Sequence, residues 1–316
     1  MKRYNNLFQQ VYDIENLKLA DQKARKGKAM QYGVQLHCKN EDANILKLHE
    51  MLKNKTYRTS AYSKFKIYDP KERDVYRLPY FPDRIAHHAI MNVLKPIFVS
   101  VFTADTYSCI EGRGIHAASY ALRDALKDVD GTKYCLKLDI KKFYPSIDHS
   151  VLKQLLRKKI KDSDLLWLLD EIIDSTAGVP IGNYLSQYFA NYYLAFFDHQ
   201  LKEELGVKYY FRYADDMVIL FDNKQYLHQL LEQIRTSLTN LRLLVKENYQ
   251  VFPVEARGID FVGYVHYHTH TLLRKVIKQN FARMMAKNRN RASMASYKGW
   301  AVHANTKNLI TKLYGK

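Results

Sequence analysis

Cysteine is scarce in this chain: Cys38, Cys109 and Cys135 are the three in 316 residues, far apart and without CxxC spacing. That excludes a disulfide framework or a cysteine-rich zinc site and points to reduced, buried thiols in a cytoplasmic protein. No apolar run approaches the roughly 20 residues that span a bilayer, so no membrane role is expected. The opening MKRYNNLFQQVYD has no apolar segment of the secretory kind. Glycine (12) and proline (7) are few, and no Pro/Gly/Ser linker, repeat or low-complexity tract divides the chain. With 47% hydrophobic and 13% aromatic residues, it reads as one interleaved unit of two or three subdomains sharing a core.

Acidic residues are also missing from one region. Residues 261–316 hold eleven Lys/Arg and no Asp or Glu, and residues 1–66 hold fourteen Lys/Arg against six acids. The centre, 67–260, has twenty-five bases and twenty-six acids, so carboxylates concentrate there although the net charge is +18. Such a charge calls for a polyanionic partner, most often nucleic acid.

Along the chain, residues 6–54 read as polar helices and 62–82 as a β-hairpin. Asp83 is an N-cap candidate for a helix running to Pro96. GIHAASYALRDALKD (114–128) is a second helix, and KYCLKLDI (133–140) alternates as a half-buried strand ending at Asp139. SVLKQLLRKKI and LLWLLDEIID are helices, followed by the breaker GVPIGN and a long amphipathic helix at 185–205. VKYYFRYADDMVILF then reads as strand, two-aspartate turn, strand; a helix, the strand LRLLVKENYQVF and the strands of GIDFVGYVHYHTH follow. The remainder, 272–316, reads as helical and basic. His266, His268 and His270 alternate along a strand and are expected on an exposed edge, while His87 and His88 serve packing or template-side contacts.

From 133 to 250 this order matches a split βαβ of the ferredoxin-like type, an α+β arrangement with helices on an antiparallel sheet. Asp139 then falls beside the turn carrying Asp215 and Asp216. Three carboxylates on one strip cannot all ionise unless a cation intervenes. Hard divalent ions take oxygen ligands and share coordination with substrate phosphates, and a pair of them serves nucleotidyl transfer. The backbone carbonyl of Ile140 is a further candidate ligand.

These residues resemble the reverse transcriptases: YADD (213–216) is similar to their most diagnostic box, and LDIKKFYPSI (138–147) to the box of the first metal-binding aspartate. The resemblance spans roughly 62–310. It implies a right-hand polymerase fold, with N-terminal helices and fingers at 1–132, a palm at 133–268 and a short basic helical thumb at 269–316. It implies Asp139, Asp215 and Asp216 as catalytic, metal-binding carboxylates for two Mg²⁺ ions, with Mn²⁺ as substitute. Tyr144 matches the bulky side chain that bars a ribose 2′-hydroxyl, which implies a DNA product. Arg73 resembles the basic fingers residue on the incoming triphosphate, with Lys71 and Lys64 as further candidates. Lys246, in LLVKEN, resembles a lysine assigned as general acid to pyrophosphate. YSCIEGRGIHAA, with Arg113, is similar to the template-contacting fingers box; IDFVGYVHY, with Gly263, to the primer-grip hairpin; and SYKGWAVHANTKNL, with Lys298, to the duplex-tracking thumb, while Tyr213 of YADD is a further nucleic-acid-binding candidate.

One box narrows the subfamily. Group II intron-related enzymes mostly carry QGxxxSP, whereas Ile181, Gly182, Ser186 and Gln187 spell IGxxxSQ, similar to the reverse transcriptases of diversity-generating retroelements. Gly182 permits close backbone approach to the nucleotide. Ile181 in place of glutamine removes hydrogen bonding from the nascent base pair, which implies looser selection; the resemblance itself implies adenine-directed mutagenesis. The implied partners are template RNA, the cDNA/RNA duplex, deoxynucleoside triphosphates and a small basic accessory variability protein. RNase H, maturase and endonuclease segments are not expected within this length. Three alternatives stay open: a group II-like or phage-defence reverse transcriptase, an RNA polymerase, and a non-catalytic RNA-binding protein on a polymerase scaffold.

Overall fold

A computed structural model describes residues 2–68, 72–287 and 290–314, so Lys71 lies outside the described residues. The chain forms two compact units, each assembled from separated stretches. One comprises Met1–Phe102, Lys142–Phe196 and Leu241–Leu243; the other comprises Thr103–Lys141, Phe197–Asn240 and Leu244–Lys316. No described helix is long and apolar enough to cross a membrane.

In the first unit, helices Ile14–Arg25 and Ile85–Val99 pack together, burying Leu17, Ala20 and Ala24 from one and Ile90, Met91, Leu94 and Phe98 from the other. Asp13 starts the former by accepting the amides of Glu15 and Asn16, two donors with no partner inside the helix. Asp83 does not cap the latter. It is buried, and its carboxylate accepts from Tyr57 Oη (2.8 Å) and the Ser60 amide (3.1 Å). Nor does Pro96 end the helix, which runs to Val99. Strands β1 (Ser63–Ile67) and β2 (Arg73–Arg77) form an antiparallel hairpin with Phe65 opposite Val75.

The second unit is built on an antiparallel sheet of β3 (Tyr134–Asp139), β4 (Tyr209–Tyr213), β5 (Asp216–Phe221) and β6 (Gln250–Pro253), ordered β4-β5-β3-β6. On one face Ala118 and Leu122 of helix Ile115–Ala125 meet Cys135, Phe211, Val218, Leu220 and Phe252. Helix Lys224–Asn240 packs against β3, β5 and β6 as well, burying Leu227, Leu230, Leu231, Ile234 and Leu238. Met217 to Leu220 are all buried, which is why MVIL reads as an unbroken apolar run and not an alternating one.

A second sheet follows, with β7 (Ile259–Phe261), β8 (Tyr264–His266) and β9 (Thr271–Leu273) in order, and then helices Lys275–Lys287, Arg291–Ala301 and Lys307–Tyr314. The third strand sits where helix was expected to begin. It makes β8 central, so His266 is buried and not on an exposed edge, its Nδ1 3.4 Å from Thr271 Oγ1. Of LRLLVKENYQVF only Gln250, Val251 and Phe252 join the sheet, in β6, since Arg242 takes a left-handed φ of 55° and Val245 makes just an isolated bridge to Ile140. Cys135 is buried as expected, but Cys38 and Cys109 are exposed.

Candidate active site

Asp139 closes β3 and Asp216 opens β5, and the register sets them directly opposite each other. Like charges in that relation repel. Asp215 sits in the two-residue turn between β4 and β5. Burial, followed by the charge of Asp139 and a hydrogen bond to its carboxyl, pushes Asp215 up to about 7. Burial likewise pushes Asp216 up to about 6; Lys137 opposes the rise and Asp139 adds to it. Carboxyls that strain to ionise side by side gain most from a neighbouring cation.

Two lysines supply part of that charge. Lys246 Nζ lies 2.7 Å from Asp139 Oδ2, and its amide donates to the Asp139 carbonyl at 2.9 Å. Lys137, two residues before Asp139 and so on the same strand face, lies 3.6 Å from Asp216 Oδ1 and donates to the Asp260 carbonyl. Asp260 in turn pairs with Arg274 at 2.5 Å. A cavity of about 270 Å³ adjoins, lined by Lys137, Asp139, Asn248, Gln250, Arg257 and Asp260 among others. Lys137 escaped the sequence reading, although its spacing from Asp139 carried the signal.

Asp139 Oδ1 and Asp216 Oδ1 are buried without a hydrogen-bond partner. An unsatisfied buried carboxylate oxygen is what a cation would satisfy, and an all-oxygen donor set suits Mg²⁺ or Mn²⁺. Among the described residues no three His, Cys, Asp or Glu side chains are already gathered as a metal cluster. The fit to a hard divalent ion rests instead on the all-oxygen chemistry and the two unpartnered oxygens, with Lys246 and Lys137 now paired to Asp139 and Asp216.

The remaining expected residues fall in both units. Arg113 Nη1 donates to the Thr103 carbonyl at 2.7 Å, Tyr213 is half-buried opposite Asp216, and Lys298 is exposed on helix Arg291–Ala301. Gly263 has φ +91°, and a side chain there would meet the Trp300 ring. These belong to the second unit, whereas Arg73, Tyr144, Ile181, Gly182 and Gln187 belong to the first. Arg73 is exposed in β2, and Lys64 lies 4.9 Å from the Tyr76 ring centroid. Tyr144 is half-buried in the turn of helix Phe143–Ser146, its carbonyl accepting the Val179 amide at 2.9 Å. The Ile181 carbonyl accepts the Tyr76 amide at 2.8 Å. Gly182 adopts φ +117°, and a Cβ would run into the Tyr76 carbonyl. Gly182 and Gln187 line a first-unit cavity of about 540 Å³ with Lys28, Arg77, Arg84 and His88, and among the described residues no acid lines it. Burial, then the charge of Arg84, lowers Lys28, while burial, then Arg77, lowers Arg84, as expected of crowded cations. Lys28, Arg77 and Arg84 were missed by sequence reasoning, since nothing local marks three separated bases as neighbours.

The opposed carboxylates at adjoining strand ends thus stand in a mixed helix and strand fold. The chain belongs to the reverse transcriptase (RNA-dependent DNA polymerase) family, whose model matches residues 69–266. It is 26% identical to Protein YkfC of Escherichia coli (strain K12) over 154 residues, covering 44% of this chain and 40% of that one. It is also 26% identical to the group II intron-encoded protein LtrA of Lactococcus lactis subsp. cremoris over 166 residues, covering 48% of this chain and 27% of LtrA. The match thus spans less than half the length of either relative. The fold is similar to that of telomerase from Candida albicans, solved with a telomeric RNA fragment, at TM-score 0.53 and 12% identity, covering 75% of this chain and 52% of that one.

Proposed function

We propose that this chain is an RNA-directed DNA polymerase that copies a template RNA into adenine-mutagenised cDNA within a diversity-generating retroelement. The observation that carries the polymerase reading is the meeting of Asp139, Asp215 and Asp216 at the strand ends, two of them pushed up toward neutral pH and two with unsatisfied oxygens. The β3, β4–β5, β6 sheet is the ferredoxin-like palm, the hairpin β1–β2 belongs to the fingers, and the basic helices after β9 form the thumb. Residues 1–132, 133–268 and 269–316 are the corresponding regions.

Asp139, Asp215, Asp216 and the Ile140 carbonyl would hold two Mg²⁺ or Mn²⁺ ions. Such ions, when bound, activate an attacking 3′-hydroxyl and stabilise the departing pyrophosphate. Lys246, once released from Asp139, presents an ammonium proton to the leaving group. Arg73, with Lys71, presents donors to the triphosphate, Tyr144 excludes a 2′-hydroxyl, and Ile181, Gly182 and Gln187 line the nascent pair. Arg113, Tyr213, Gly263 and Lys298 serve template, primer and duplex. The acid-free run after Asp260 supports a duplex or RNA partner, and the same charge must be reconciled with a basic accessory protein by direct binding measurements.

Primer extension on an RNA template tests the first level: the parent extends and Asp215→Asn does not. A parent without activity, or a fully active variant, rejects it. The intron-encoded relatives favour a second reading, a group II-like reverse transcriptase. Misincorporation concentrated opposite template adenine supports the retroelement role, and an even spectrum supports the alternative.

A further inference from the structure

The turn that presents Asp215 is held from both sides by residues outside the carboxylate set. Ala214 has φ +55°, a left-handed conformation that is strained for a non-glycine residue. Its amide donates to Ser108 Oγ at 3.1 Å, and its carbonyl accepts from Arg212 Nη1 at 3.1 Å. Both polar groups of the strained residue are therefore engaged.

Arg212 is itself fixed. Its side chain is fully buried and pairs with the equally buried Asp198, with Nε 2.8 Å from Oδ1 and Nη2 against Oδ2. Tyr210 Oη (2.7 Å) and Thr106 Oγ1 (3.1 Å) donate to the two oxygens of Asp198. Ser108 is placed by the backbone: the Arg212 amide donates to the Asp105 carbonyl, and the Tyr107 amide to the Arg212 carbonyl, so 105–107 runs along β4 and delivers Ser108 beside the turn. A paired, buried guanidinium is costly to desolvate and adds little stability over an apolar substitute. Its one donor spent on the Ala214 carbonyl is geometry, not stability.

We propose that Ser108 and Arg212, the latter anchored on Asp198, are positioning residues that clamp the Ala214 peptide and thereby set Asp215 against Asp139 for divalent-cation binding. This rests on the reading of Asp139 and Asp215 as the cation-binding carboxylates. Both act through the Ala214 peptide, one on its amide and one on its carbonyl. Tyr210 touches Asp198 but not the turn, so it separates stability from positioning.

The test is Mn²⁺ binding to the full chain by electron paramagnetic resonance, with thermal unfolding alongside. Ser108→Ala removes one hydrogen bond and is expected to weaken Mn²⁺ binding about five- to tenfold. Ser108→Thr, which keeps the hydroxyl, restores it. Arg212→Lys keeps the charge beside Asp198 but loses the planar spread needed to reach Ala214 as well, and weakens binding at least as much. Tyr210→Phe lowers the unfolding temperature and leaves Mn²⁺ binding unchanged. Parent-like Mn²⁺ binding in Ser108→Ala, or in Arg212→Lys, overturns the clamp, and either variant decides alone if the other does not fold. Parent-like binding in Asp215→Asn instead rejects the reading of the carboxylates themselves.

Discussion

Lys246 Nζ stands 2.7 Å from Asp139 Oδ2, so one side chain of the candidate centre is both the counter-charge of a carboxylate and the proton donor proposed for the reaction. Removing it separates the two roles. Lys246→Met is expected to bind Mn²⁺ more tightly, because a competing cation is gone, while single-turnover incorporation slows by about a hundredfold, the lower range of general-acid effects. Unchanged incorporation would show that Lys246 only balances charge.

The pH dependence of the metal-free protein has a definite sign. Asp215 is pushed from an ordinary value near 3.8 up to about 7, so between those limits the folded state holds a proton that the unfolded state has lost. Stability contributed by that proton is present at acidic pH and is lost as pH rises toward 7. Relative to Asp215→Asn, which cannot ionise, the parent should lose on the order of 2 kcal/mol between pH 4 and pH 8, after allowance for solvent screening. Chemical unfolding of both proteins at several pH values measures the difference. A pH-independent difference would contradict the burial and the Asp139 repulsion that raise this carboxyl.

His266 gives the opposite slope. Burial, then the charge of Arg123, lowers its imidazole to about 3, so acidification below 6.5 protonates the unfolded chain first and stability falls. His266→Gln should flatten that part of the acid-unfolding curve; an unaltered slope would mean that other groups set it.

Gly182 tests the backbone. At φ +117°, with the Tyr76 carbonyl where a Cβ would lie, Gly182→Ala is expected to cost about 1–3 kcal/mol in stability through strain and displacement of β2. Thermal unfolding within about 1 °C of the parent would show that the loop accommodates the methyl freely.

Tyr144 tests sugar selection. Tyr144→Val should raise ribonucleotide incorporation relative to deoxynucleotide at least about tenfold by kcat/KM, the worth of one steric contact. An unaltered ratio would assign the ring to packing alone.

Much of this was legible from local pattern. Alternation in KYCLKLDI puts Lys137 and Asp139 on one strand face, since side-chain direction in a strand follows from a two-residue period; the aspartate pair marks the turn one residue late, for the turn is Ala214-Asp215 and Asp216 already opens β5. Charge distribution and the boxes around YADD needed no coordinates. Asp83 misled because an N-cap is a local preference, and a buried Tyr57 hydroxyl outbid it. His266 misled because exposure of a strand depends on a neighbour, β9, whose three residues have no period to read.

The sequence by itself determined the carboxylates, the strands that end on them and the surplus of positive charge. Only the tertiary structure decided that Asp139 faces Asp216, that Lys246 and Lys137 answer them, and that Ser108 and Arg212 grip the peptide of Ala214. Ser108 and Ala214 are separated by 106 residues and Asp198 and Arg212 by 14, and no short-range preference encodes such pairs. They arise when strand register brings distant segments together and burial leaves their polar groups no partner but each other.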